Sequence, residues 1–96
     1  ITIVKGYGPK LISYEIIDGE RYERYDLEDS ILEYEHIYLN NKLDSTTSFY
    51  GTGELWFQSQ YDNGRRNGNH ICYYEDGTIR YKQIYHNGVL VSTIRY

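Results

Sequence analysis

The sequence has no methionine, one proline, one cysteine and no apolar run close to the length that crosses a bilayer. Each shortage excludes something. The lone Cys72 can form no internal disulfide, so the fold must rest on burial and sheet hydrogen bonds, as suits a reducing compartment such as the cytoplasm. A membrane helix needs about 18 consecutive apolar residues, and no such run is present; nothing at the start reads as a signal peptide, as would equally hold for a mature secreted protein. The missing initiator methionine reads as a processed or trimmed chain, or the ordered part of something longer. At 96 residues there is room for one domain but not for a large enclosed catalytic cavity.

Positive charge is also scarce. Formal net charge is −4, and residues 15 to 35 hold nine carboxylates (Glu15, Asp18, Glu20, Glu23, Asp26, Glu28, Asp29, Glu33, Glu35) against Arg21 and Arg24. Nucleic acid and anionic membrane both need a basic footprint, so neither is the expected partner.

Tyrosine is abundant: thirteen of them, with short groups of Ile, Leu and Val, suit half-buried strands, because aromatic and β-branched side chains fit a pleated surface. Helix formers do not cluster at helical spacing. Turn signals fall in two series. Asp18-Gly19, Asn40-Asn41, Asn63-Gly64 and Asn87-Gly88 form one; Tyr7-Gly8, Asp29-Ser30, Thr52-Gly53 and Asp76-Gly77 form the other. From the second series to the next member of the first the spacing is always eleven residues, whereas the return interval grows from eleven to twelve to thirteen. The repeat is therefore 22 to 24 residues, with one fixed and one adjustable strand. Asn-Gly and Asp-Gly tolerate the positive φ of a tight hairpin turn, which assigns Gly8, Gly19, Asn41, Gly53, Gly64, Gly77 and Gly88 to turns. Ser30 fits that role poorly.

Alternate positions of the fixed strand form columns, since residues i, i+2 and i+4 share a strand face. Ile12, Tyr34, Phe57 and Tyr81 make one; Ile16, Tyr38, Tyr61 and Tyr85 another; Lys10, Leu32, Leu55 and Ile79 a third. Tyr14, His36, Ser59 and Gln83 lie between. The opposite face is polar, with Ser13, Glu15, Glu33, Glu35, Gln58, Gln60, Arg80 and Lys82, and Trp56 falls there against the pattern. The fold expected is all-β: a single-layer, twisted antiparallel meander of about eight strands, one repeat domain over residues 1–96, beginning and ending in mid-repeat.

The stretch "YDNGRRNGNHICYYEDGTIRYKQIYHNGVL" resembles the MORN-type repeat, closest to the variant in proteins labelled YwqK-like antitoxins. Tyr61, Asn63, Gly64, Arg65, Arg66, Gly68, Tyr73, Tyr74, Gly77, Tyr85, Asn87 and Gly88 carry the likeness. Before residue 50 only spacing and turns do. The resemblance implies a scaffold or docking surface of successive hairpins, with links to protein assembly, dimerisation and phospholipid contact, and no catalytic residue.

Other chemistry is weakly signalled. Gly64 to Gly68, "GRRNG", could hold an anion, but its glycines lead into a strand rather than a helix N-terminus. His70 and Cys72 would share a strand face, yet no second pair stands at zinc spacing, and His36 and His86 fit a strand column and a turn. No carboxylate, serine or thiol stands in a context that would activate it. No metal, cofactor or catalytic residue is therefore expected. The function expected is protein binding or self-association through an aromatic face or edge strand, with Tyr34, Trp56, Phe57, Tyr81, Arg65 and Arg66 as contact candidates. The alternatives are an inhibitor whose acidic segment covers a basic partner, and a peripheral phospholipid contact at Arg65 and Arg66.

Overall fold

A computed structural model covers residues 1–96 and contains no helix. The runs of aromatic and β-branched residues extend as strands, and the Asn-Gly and Asp-Gly steps turn the chain back: β1 (Thr2–Ile17), β2 (Glu20–Leu39), β3 (Lys42–Phe49), β4 (Leu55–Asp62), β5 (Arg65–Tyr73), β6 (Ile79–His86) and β7 (Val89–Arg95). They pair in chain order as one open antiparallel sheet. The all-β, single-layer meander is the expected one, built from seven strands rather than eight. Its Cα radius of gyration is 15.6 Å, against about 12.5 Å for a compact domain of this length.

Both series of turns are clear from β3 onward. Asn63 and Gly64 have φ of 51° and 78°, and Asp18-Gly19, Asn40-Asn41 and Asn87-Gly88 share this doubly positive conformation, the one that matches strand twist in a two-residue hairpin. The second series makes four-residue turns, in which Gly53 N donates to Tyr50 O at 2.9 Å and Gly77 N to Tyr74 O at 3.0 Å.

The first half departs from the expected pattern. Gly8 is not a turn residue: it is buried within β1 opposite Ile31. Asp29-Ser30 makes no turn either. Ser30 stands where later repeats place Gly53 and Gly77 at φ of 93° and 90°, a conformation costly for a residue with a side chain. The strand therefore runs through. Surplus residues 27 to 29 bulge out between the pairs Pro9 with Ser30 and Lys10 with Asp26, and Asp26 Oδ1 accepts the Glu28 amide at 3.0 Å.

Residues 10–17 consequently pair with 20–26 as a distal hairpin, here termed the arm, instead of adding strands to the sheet. Lys10, Ile12, Tyr14 and Ile16 drop out of their columns, and Ile12 and Ile16 are 64% and 68% exposed. The arm lies against the second-series turns: Leu11 N donates to Gly51 O at 2.8 Å. Leu11 is one of two buried hydrophobic residues, Cys72 being the other.

Across the rest of the sheet two of the columns hold, while register shifts next to Tyr38, Leu55, Tyr61 and Ile79 take the other two out of line. Tyr34, Ser48, Phe57, Cys72 and Tyr81 pair in one row, and His36, Thr46, Ser59, His70 and Gln83 in the next. Thr46, Ser59 and His70 are buried. A single layer achieves this because rings lean over the polar row: Tyr34 to His36 is 4.8 Å between centroids, Phe57 to His70 5.6 Å and His70 to Tyr81 6.0 Å. The hidden polar groups are satisfied, with Thr46 Oγ1 2.6 Å from His36 Nδ1 and Ser59 Oγ bonded to His70 Nδ1, as burial of a hydroxyl demands.

Candidate functional site

Of the expected contact residues, the structure brings together Tyr34, Phe57 and Tyr81, which share one face and are half-buried in the rows just described. Trp56 is elsewhere. The register passes from Ser48 opposite Phe57 to Phe49 opposite Leu55, so Trp56 is the extra, bulged residue of β4; this is why alternation misplaces it. Its ring lies 5.6 Å from that of Tyr50. One repeat later, Arg80 sits 5.8 Å over Tyr74, so Trp56 with Tyr50 is one instance of a contact between the turn's leading tyrosine and a residue six positions on.

Arg65 and Arg66 begin β5, away from the aromatic row. Arg66 is occupied: its guanidinium lies 5.4 Å over the Tyr85 ring, and Nη1 donates to Tyr85 Oη at 3.3 Å. Hydrogen bonding to Tyr61, and then to Tyr85, raises its pKa above the ordinary value despite partial desolvation. Arg65 is exposed opposite Asp62. The run from Gly64 to Gly68 continues along a strand, with Gly68 at φ 94° in a register shift. His70 Nδ1 is engaged by Ser59, and no group of three or more His, Cys, Asp or Glu is arranged to hold a metal ion.

A second constellation lies where the arm meets the sheet, assembled from residues distant in sequence. Arg21, near the tip of the arm, reaches Glu75 in the β5–β6 turn with Nη1 to Oε1 at 2.6 Å and Nη2 to Oε2 at 3.1 Å. Its Nε is 2.8 Å from Glu23, and its guanidinium stacks 4.1 Å over Tyr14. This planar, two-pronged pairing is the geometry arginine offers a carboxylate. It holds the Glu75 carboxyl below the usual range and raises Arg21. Between arm and sheet is a cleft of about 450 Å³ lined by Leu11, Tyr25, Phe49, Tyr50 and Trp56 together with Arg21, Glu23, Glu33 and Glu75. It adjoins a second hollow of about 290 Å³ that shares Tyr25, Glu33, Phe49 and Tyr50. Tyr50 Oη donates to Tyr73 O at 2.7 Å, and burial raises its phenol pKa. Tyr25 donates to Glu23, and that hydrogen bond raises the Tyr25 phenol pKa.

The Arg21 latch is partly exposed, so its contribution is expected to be local. Arg21→Ala should leave the sheet intact and raise hydrogen exchange at the Leu11 amide by about threefold to tenfold, as the arm opens more often. Unchanged protection at Leu11 would show that the arm is held without the ion pair.

Sequence reasoning had Trp56 but missed Tyr25, Tyr50, Arg21 and Glu75. The repeated tyrosine at 50 and 74 was the available signal. No family model, curated protein or solved structure matches the chain.

Proposed function

We propose that the chain is a non-enzymatic, MORN-like repeat module that binds another protein by strand addition at the β7 edge. The observation behind this reading is that, within residues 1–96, Val89–Arg95 is exposed along its whole length and pairs with β6 alone. Natural edges are usually guarded by charge, proline or bulges. β7 offers Val89, Leu90, Val91 and Ile94 with Arg95 as its one charge, the surface that a partner strand needs. A non-enzymatic role is supported by the burial of Ser59 and His70: a hydroxyl–imidazole pair has the atoms of a nucleophile, but these lie beneath Phe57 and Tyr81, closed to substrate.

The edge can be tested at the backbone. Tyr96 N donates to Arg80 O at 3.1 Å. Because alternate residues of an antiparallel strand face the same neighbour, Ser92 and Ile94 turn toward β6 and Thr93 turns outward. Thr93→Pro removes an outward donor without touching the β6 ladder, as proline permits on an edge. It should weaken partner capture or self-association about tenfold or more, measured by sedimentation and affinity capture. Capture unaffected by both Thr93→Pro and Val91→Lys would remove the edge-strand reading.

An inhibitor role has one observation in its favour. The arm and its bulge carry Glu15, Asp18, Glu20, Glu23, Asp26, Glu28 and Asp29 beside the exposed Ile12, Ile16, Ile17 and Tyr22, a surface complementary to a basic protein. A complex lost on reversal of Glu20, Glu28 and Asp29 to lysine, but retained by Thr93→Pro, would select this reading.

A further inference from the structure

We propose that the cleft beneath the arm is a binding site for an organic ammonium cation, either the head group of a quaternary amine or an alkylated lysine side chain. This site stands independently of the strand-addition reading. Tyr25 and Trp56 are 42% and 44% exposed, so neither ring is sealed by packing, and both line the cleft with Tyr50. Aromatic faces attract cations through the ring quadrupole, most strongly where water is displaced. The volume, about 450 Å³, falls in the range of small-molecule sites.

Charge selects the sign of the occupant. Glu23, Glu33 and Glu75 line the cleft against Arg21 alone, and Arg21 is already committed to Glu75, Glu23 and the Tyr14 face. An anion would meet excess carboxylate and no free guanidinium. Glu33 is the one lining carboxylate with no ion pair or hydrogen bond within the chain. It is placed by Gly8: a Cβ at position 8 would stand 2.6 Å from Glu33 Oε2, so glycine inside β1 makes room for that carboxylate. An alkylated ammonium suits this lining better than a small hydrated ion, because its methyl groups also bury apolar surface against Leu11 and Phe49.

Trp56 is the only tryptophan, so its emission reports directly on the cleft. Titration with tetramethylammonium chloride should change Trp56 fluorescence saturably, whereas sodium chloride at matched ionic strength should not. Tyr25→Leu and Glu33→Gln should each weaken binding about threefold to tenfold, with circular dichroism confirming an intact sheet; Glu33 is exposed, so that variant keeps the test sound if Tyr25→Leu loosens the arm. Equal responses to the two salts, or wild-type affinity in Glu33→Gln and in a folded Tyr25→Leu, would overturn the site. A trimethyllysine peptide provides the second arm. If it binds more tightly than tetramethylammonium and its unmodified counterpart does not bind, the occupant is protein-borne; if tetramethylammonium is as tight as the trimethyllysine peptide, it is a free amine, and both results support the site.

Discussion

Phe57→Ala is expected to lower the free energy of unfolding by about 2 to 4 kcal/mol, read as a lower urea midpoint with the slope preserved. Phe57 stands in the middle of the aromatic row, between Ser48 and Cys72, and its ring leans on His70 5.6 Å away and contacts Trp56 at 5.2 Å. Removing the ring uncovers His70, Ser59 and Cys72 together, which are half of the six buried residues. So small a buried set leaves few neighbours to collapse into the gap. Trp56→Ala is the matched comparison. That side chain is larger but sits on a bulge and is 44% exposed, so its loss should cost about 1 kcal/mol or less. A Trp56 variant less stable than the Phe57 variant would show that the rows are not the stabilising centre of the sheet.

The second large effect is on acid stability. His70 is buried among Ser59 and Phe57 on β4, Cys72 and Arg66 on its own strand, and Tyr81 and Tyr85 on β6. Burial, followed by the Arg66 charge, lowers its pKa below the ordinary value of 6.5. A depressed folded pKa means that the unfolded chain takes up the proton first. The stabilisation is therefore complete above about pH 6.5 and is lost as pH falls through the folded value. Glu75 and Asp76 are also depressed, the first by Arg21 and the second by hydrogen bonds from Thr78. Their contribution is lost lower, below the ordinary carboxylate range. Stability against pH should thus fall in two stages. In His70→Gln, which can keep a hydrogen bond to Ser59 but cannot titrate, the upper stage should disappear. An unchanged upper stage in that variant would assign it to another group.

How much of this was legible beforehand depended on distance along the chain. Asn63-Gly64 and Asn87-Gly88 announce turns because their chemistry is local: positive φ at two adjacent positions leaves few alternatives to Asn and Gly. Gly8 looked the same on paper, yet its role is to admit the Glu33 carboxylate from the neighbouring strand. Position alone does not separate a glycine that bends its own chain from one that yields space to another. Ser30 was the better signal, because a side-chain-bearing residue where Gly53 and Gly77 take positive φ argues for a strand that continues. The pairing of His70 with Ser59 was hidden by the register shift around Gly68, whose extra residues slide β5 relative to β4. Arg21 and Glu75 are 54 residues apart, beyond any periodicity argument.

That last separation bears on the order of assembly. Every sheet contact joins consecutive strands, most of them through two-residue or four-residue turns, so each pairing closes only a short loop and meets a strand already in place. Topologies of this local kind form rapidly, by propagation from any hairpin rather than through a distant nucleus. The junctions of Leu11 with Gly51 and Arg21 with Glu75 are different, because they require the intervening strands to exist first. They are therefore expected to form last and release first, which would separate opening of the arm, and with it access to the cleft, from unfolding of the sheet.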